Sequence, residues 1–122
     1  MSEENRRAAG EAMFERVYGA VVPVPPPEKR DTFVNGTIDH LFGEIWTRDV
    51  LDIRSRRLLI LGAVLALGEV GIQEVQLRAA LANGELTSDE AREILVFMVN
   101  YIGYPRASSF QQVLNRVLSD RE

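Results

Sequence analysis

Apolar residues recur at intervals of three and four along most of this 122-residue chain, which is the spacing of one face of an α-helix. Residues 3–18 and 28–46 each carry such a face. The run Val-Val-Pro-Val-Pro-Pro-Pro at 21–27 separates them, because proline cannot continue a helix. The pattern predicts four further helices, at about 53–67, 72–82, 87–102 and 105–117. Since no stretch alternates as a strand does, we expect an all-α protein, a compact bundle of about six helices.

Residues at the predicted helix ends support this division. Thr87 followed by Glu90 fits a capping box at the start of the fifth helix. The Asn-Gly pair at 83–84 is a good C-terminal stop for the fourth helix, and Gly103 ends the fifth. Pro105 suits the first turn of the sixth helix.

The third predicted helix is apolar on every side over residues 58–67. Such a helix is expected to be buried on every side. The run is too short for a membrane span of about 20 residues, and Arg54, Arg56 and Arg57 adjoin it. The first residues are polar and charged, unlike a signal peptide. We therefore expect a cytoplasmic protein of one domain, residues 1–122, in which 1–27 form an N-terminal helix and a Pro-rich arm.

Composition narrows the chemistry further. The chain contains no cysteine, which excludes thiol nucleophiles, disulfides and thiolate metal ligands. Its net charge of −4 provides no basic face for phosphates, so nucleic acid is not an expected partner. A membrane is not expected either, because the apolar run at 58–67 is too short to span one. One histidine and scattered acids do not make a metal site, and no cofactor-binding fingerprint is present.

Three segments together resemble the carboxymuconolactone decarboxylase family. Residues 43–59 contain Gly-Glu-Ile-Trp-Thr-Arg, Leu-Asp and Arg-Ser-Arg-Arg-Leu-Leu, similar to that family's Gly-x-Val/Ile-Trp-Ser-Arg, Leu-Asp and Thr-Arg-Ser-Leu-Leu. Residues 78–84 resemble its Arg-Ala-Ala-x-x-Asn-Gly, and residues 101–105 its Tyr-Cys-Gly-Val-Pro. Residues 10–19 are similar to its N-terminal segment, so the resemblance covers nearly the whole chain.

The resemblance implies an alkylhydroperoxidase D-like helical fold and assembly as a homo-oligomer, a trimer or hexamer. It also implies cofactor-free decarboxylation of the lactone formed in protocatechuate breakdown. The related peroxidases use Cys-x-x-Cys followed by His, and this cysteine-free chain cannot do so. The decarboxylases usually carry His two residues before the Arg of Arg-Ala-Ala, where this chain has Gln76.

Gln76 and Glu44 are the candidate catalytic residues. The Gln76 amide could polarise a substrate carbonyl, although it cannot transfer a proton as His does; it could equally be a core amide with satisfied hydrogen bonds. Glu44, if its pKa is raised, could protonate the dienolate left by decarboxylation. The alternative is a solvated helix-end acid paired with Arg48.

Four residues are candidates for binding a small carboxylate substrate: Arg54, Arg78, His40 and Trp46. The two arginines could hold a dicarboxylate through bidentate bonds. His40 does not match the family's His position and more often such a residue lies on the surface or packs structurally. Trp46 is favoured as a core or interface anchor over a stacking platform.

The arginines at 56 and 57 are expected instead to pair with an acid, either Glu44, Asp49 or Asp52, or to contact another subunit.

Two functions remain open from the sequence. One is a decarboxylase or related lyase acting on a small unsaturated carboxylic acid or lactone from aromatic catabolism. The other is a non-catalytic oligomeric member of the family that binds a small molecule or serves a structural role, since it lacks the usual His and the redox cysteine pair.

Overall fold

The computed structural model describes residues 2–121 and contains six α-helices, one π-helix and no strand within that range. Two units form, one up to Ile53 and one from Arg54 onward, and each is described separately. In the first unit lie α1, a 3₁₀ turn, α2 and the π-helix; in the second lie α3 to α6. The bounds are α1 Glu3–Tyr18, the 3₁₀ turn Pro27–Lys29, α2 Thr32–Gly36, the π-helix Thr37–Ile45, α3 Ile53–Leu67, α4 Val70–Ala82, α5 Ser88–Ile102 and α6 Tyr104–Asp120. The predicted all-α class is confirmed.

In the first unit, two glycines allow α1 to lie directly on the π-helix. A Cβ atom on Gly10 would overlap the carbonyl oxygen of Ile38, and one on Gly43 would lie 2.5 Å from the carbonyl oxygen of Arg6. Glycine is needed where backbones approach this closely. The crossing is also fixed by a bidentate ion pair, in which Arg7 donates to Asp39 at 3.0 and 2.8 Å.

The helix predicted at 28–46 is one α-helical turn followed by wider turns. Asp31 caps α2 by accepting from the Val34 N–H at 2.9 Å. From Thr37 the chain continues as a π-helix, and at its end the Trp46 N–H donates to the carbonyl of Leu41, five residues earlier. Apolar spacing does not distinguish these wider turns from α-helical ones, so the sequence did not reveal them.

The Pro-rich run is tied to α1 within the first unit. The Arg30 side chain is almost fully buried and donates through Nε to the Pro25 carbonyl at 2.8 Å and through Nη2 to Glu11 at 2.5 Å.

The second unit has its own apolar core, and α6 packs against both α4 and α5. The helix ends follow the sequence signals. Thr87 Oγ1 accepts from the Glu90 N–H while the Glu90 carboxylate accepts from the Thr87 N–H, as a capping box requires. Gly84 and Gly103 both adopt positive φ where α4 and α5 end. The fully buried core side chains include Leu61, Leu65, Leu77, Phe110, Val113 and Leu114.

Within a single chain, α3 is not buried on every side as expected. Leu61 and Leu65 are buried, but Leu59 and Leu67 are 65% and 68% exposed. The reason is that only one face of α3 has neighbouring side chains to pack against in the core. Among residues 2–121, no helix is both long and apolar enough to cross a membrane.

Candidate functional site

A cavity of about 400 Å³ in the second unit is the best candidate site. Its volume is within the range of small-molecule sites. The wall is mainly apolar and comes from α3, from α5 and from Leu86 in the segment between α4 and α5. The lining residues are Arg54, Leu58, Leu61, Gly62, Leu86, Glu90, Glu93, Ile94, Phe97 and Met98.

Arg54 is the one cation of this wall. Its Nε donates to the carbonyl of Glu85 at 3.0 Å and its Nη2 to the carboxylate of Glu90 at 2.8 Å. These two bonds fix the plane of the guanidinium, while Nη1 has no partner among residues 2–121. The side chain is half-exposed. Arg54 can therefore offer an N–H donor to an oxygen atom of a ligand in the cavity.

Two glutamates of α5 also line the cavity. The hydrogen bond from the Thr87 backbone, followed by that from Arg54, holds the pKa of Glu90 below its usual range. Glu93, almost one helical turn further along, has no hydrogen-bond or ion-pair partner within the described part of the chain. The charges on the wall are thus one paired arginine, its partner carboxylate and one further carboxylate.

Behind the segment that holds Arg54 lies a buried polar network. Arg57, one turn beyond Arg54 on α3, is fully buried. Its Nε donates to Glu85 Oε1 at 2.8 Å, its Nη2 to Glu85 Oε2 at 3.3 Å and its Nη1 to Gln76 Oε1 at 2.6 Å. The Asn83 side-chain amide donates to the same Glu85 carboxylate at 3.0 Å. A charge this deep is stable only because it is paired and hydrogen-bonded.

Glu85 joins the network to the cavity. Its backbone carbonyl holds Arg54, and its carboxylate holds Arg57. Of the residues predicted from sequence, Arg54 and Gln76 are thus linked through Arg57 and Glu85.

Gln73 is a second buried amide in this unit. Its Nε2 donates to the Val64 carbonyl at 3.0 Å, whereas its Oε1 is buried with no partner among the described residues. The amide therefore ties α4 to α3 through one bond only.

Arg78 is engaged elsewhere. It donates to Glu74 at 2.9 Å and to Asp120 at 2.7 Å, so it connects α4 to α6. The same two hydrogen bonds, with Asp120 the stronger contribution, raise the pKa of Arg78. Arg116 also donates to Glu74, at 2.7 Å. The two-arginine clamp for a dicarboxylate is therefore not assembled at the cavity, because the guanidinium of Arg78 is already held by two acids.

Glu44 and His40 contact one another in the first unit. His40 Nδ1 lies 3.0 Å from Glu44 Oε1, and Arg6 Nη1 donates to the same oxygen at 3.3 Å. The hydrogen bond with His40, helped by the charge of Arg6, holds the pKa of Glu44 below its usual range. That direction is opposite to the one a proton donor at neutral pH requires. The expected partner Arg48 is replaced by these two residues in the contacts that Glu44 makes.

Trp46 is buried in the first unit. Its ring stacks on that of Phe42 with centroids 5.8 Å apart, and Phe42 also contacts Phe14 and Tyr18. This geometry agrees with the favoured interpretation of Trp46 as an anchor rather than a platform for substrate.

Comparison with known proteins gives the family. A sequence model described as "Carboxymuconolactone decarboxylase family" matches residues 32–115, more than half of the chain. The chain belongs to the carboxymuconolactone decarboxylase family. A relative named 4-carboxymuconolactone decarboxylase, from Acinetobacter baylyi (strain ATCC 33305 / BD413 / ADP1), is 32% identical over 79 residues. That match covers 65% of this chain, and the chain spans 58% of the length of the relative.

Gln76 lies where the resemblance predicts a His, and its side-chain carbonyl oxygen accepts a hydrogen bond from Arg57. Sequence reasoning predicted that Arg57 pairs with an acid, but proposed Glu44, Asp49 or Asp52. One acid that Arg57 pairs with is Glu85, which lies 28 residues away in sequence and directly follows the positive-φ turn at Gly84. The position of Glu85 directly after the Asn-Gly pair was the only sequence signal for this ion pair. Nothing in the neighbouring sequence indicated which arginine it would pair with.

Sequence reasoning also missed Glu90 and Glu93 as cavity residues. Glu90 was recognised only as part of the capping box. Their spacing from Ile94, Phe97 and Met98 along α5 could have placed all of them on one face. No cluster of three or more His, Asp or Glu side chains arranged to hold a metal ion occurs within residues 2–121.

Proposed function

We propose that this member of the family is a cofactor-free carboxy-lyase that decarboxylates a small unsaturated carboxylic acid or lactone of aromatic catabolism. The observation that carries the proposal is the apolar cavity of about 400 Å³ with a single guanidinium, Arg54, fixed at its wall. The relative's name, 4-carboxymuconolactone decarboxylase, supports the reaction class.

Decarboxylation can proceed with the groups that line this cavity. When the C–C bond to the departing carboxylate breaks, its electron pair passes into the conjugated system and collects on the carbonyl oxygen as a dienolate. An apolar site disfavours the localised charge of the carboxylate more than the delocalised charge of the dienolate. The Nη1 donor of Arg54 then serves the oxygen on which charge collects.

The reaction ends when a proton is added to carbon. We propose that a water molecule supplies this proton, with the hydroxide taken up by solvent, rather than Glu44, whose pKa is lowered by His40 and Arg6.

The test is carbon dioxide release from lactones that carry one carboxylate, compared with release from 4-carboxymuconolactone, which carries two. We expect turnover by the wild-type chain and a loss of at least tenfold in kcat/KM in Arg54→Gln. Arg92→Gln is the matched control, because Arg92 lies on α5, is half-exposed and pairs only loosely with Asp89 at 3.7 Å. No release above the uncatalysed rate at saturating protein contradicts the proposal.

A second function, non-catalytic binding of a small molecule, is favoured by one observation. The Gln76 oxygen is held by buried Arg57, so the side chain at the family's usual His position is committed to the structure. Gln76→His discriminates the two functions. A gain in carbon dioxide release supports a retuned enzyme, whereas a folded variant that binds ligand without turnover supports the binding function.

We further propose that the chain acts in the cytoplasm as a homo-oligomer, a trimer or hexamer, whose neighbouring subunits cover the apolar side chains exposed on α3 and α5. Leu59, Val96 and Tyr101 are all more than half exposed and do not line the cavity. Contiguous exposed apolar surface is typical of subunit interfaces. Sedimentation equilibrium tests this; a monomer at micromolar concentration contradicts it.

A further inference from the structure

The charges on the cavity wall limit the charge of the ligand. One basic and two acidic side chains line it, Arg54, Glu90 and Glu93. Glu90 is already the partner of Arg54, at 2.8 Å. The remaining carboxylate, that of Glu93, has no cation beside it within residues 2–121. A ligand in the cavity can thus accept a hydrogen bond from Nη1 of Arg54 and lies near the Glu93 carboxylate, which has no ion-pair partner among the described residues.

A dicarboxylate fits this wall poorly. Its first carboxylate could use Arg54, but its second would lie among Leu58, Ile94 and Met98 or beside Glu93. An ionised carboxylate is costly to place against apolar side chains without a partner, and like charges repel. The other arginine expected to hold a dicarboxylate, Arg78, is bound to Glu74 and Asp120.

From these contacts we infer that the cavity selects an unsaturated monocarboxylate with an otherwise apolar body, and that Glu93 is a specificity-determining residue that excludes dicarboxylates. This inference rests on the proposed function in taking the cavity as the substrate site.

A matched set of probes tests this selection. Hexa-2,4-dienoate and hexa-2,4-dienedioate have the same conjugated six-carbon chain and differ in a terminal methyl against a second carboxylate. The corresponding hexa-2,4-dienamide removes the charge. Calorimetric titration at neutral pH should show the monoanion binding at least about tenfold more tightly than the dianion, as expected for an added unpaired charge near Glu93. The affinity for the monoanion should also exceed the affinity for the amide, because only the anion gains the charge-assisted hydrogen bond to Arg54.

Glu93→Gln is the decisive variant. It should reduce the difference in affinity between the monoanion and the dianion. A higher salt concentration should reduce the same difference in the wild-type chain, because salt screens exposed charges. Glu69→Gln is the matched control: Glu69 is exposed, lies between α3 and α4 and does not line the cavity, so the gap should stay as in the wild type.

Equal or tighter binding of the dianion overturns the inference, as does a gap that is unchanged in Glu93→Gln, equal binding of the amide, or binding of none of the probes. These outcomes are separate from failure of the proposed reaction. Selective binding of the monoanion without carbon dioxide release keeps the inference and removes the carboxy-lyase. Carbon dioxide release from a dicarboxylate lactone, together with equal affinities for monoanion and dianion, keeps the carboxy-lyase and removes the inference.

Discussion

Two arginines one turn apart on α3 have opposite surroundings. Arg54 is half-exposed at the cavity, held by a backbone carbonyl and an exposed carboxylate. Arg57 is fully buried, and all three of its terminal nitrogens donate to side chains. Both contact Glu85. The same residue type is therefore accessible to a ligand at one position and bound within the fold at the next, and burial decides which.

The largest effect is expected from breaking the buried network. Arg57→Met should lower the free energy of unfolding by about 3–5 kcal/mol, because it removes the cation paired with the Glu85 carboxylate and a donor to the Gln76 oxygen. Urea denaturation measures this. The double variant Arg57→Met with Glu85→Leu should recover a substantial part of the loss, since the unpaired charge is gone. A loss below about 1 kcal/mol in the single variant would show that the network does not stabilise the fold as its burial implies.

Arg54→Met should change ligand affinity and leave the stability of the fold nearly unchanged. The pair with Glu90 is half-exposed, so the midpoint of urea unfolding should change little. Affinity for an unsaturated carboxylate should nevertheless fall by at least about tenfold, because a charge-assisted hydrogen bond is lost. Arg92→Met provides the control for removing one positive charge from this region. If Arg54→Met destabilised the fold as strongly as Arg57→Met, the contrast between the two positions would be refuted.

The smallest effect concerns acid stability. Hydrogen bonds from Arg116 and then Arg78 hold the pKa of Glu74 below its ordinary value. A lowered folded-state pKa contributes stability above the unfolded-state value, and that stability is lost as the pH falls through the folded-state value. Glu74→Gln should therefore flatten the decline of stability below the ordinary pKa of a glutamate. Unfolding midpoints measured from neutral to acidic pH check this, and an unchanged slope would mean that the Glu74 pairs are screened by solvent.

Local signals in the sequence predicted much of the fold of the second unit. The capping box at Thr87 and Glu90 and the turn at Gly84 rest on neighbouring residues, and both formed as expected. Apolar spacing along α3 was less informative. It shows that Leu59 and Leu67 lack polar character, but it cannot show whether another element lies against them.

The candidate site was only partly predictable because its pairings are long-range. Arg54 is a candidate from the sequence and lines the cavity, while its partners Glu85 and Glu90 lie more than 30 residues away in sequence. The choice between Arg57 and Arg54 as the buried side chain depends on the rotation of α3 against the core. Apolar residues all round a helix do not specify that rotation.

The most direct test of the cavity as the ligand site compares two glycine variants. Gly62, on α3, lines the cavity, and a Cβ atom there would meet no atom within 4 Å; the same holds for Gly71 on α4, outside the cavity. Replacing either helical glycine by leucine should stabilise the fold slightly, by about 0.5–1 kcal/mol. Titration with hexa-2,4-dienoate should show binding lost in Gly62→Leu and retained in Gly71→Leu. Retention of full affinity in Gly62→Leu, with the variant folded, would contradict the account.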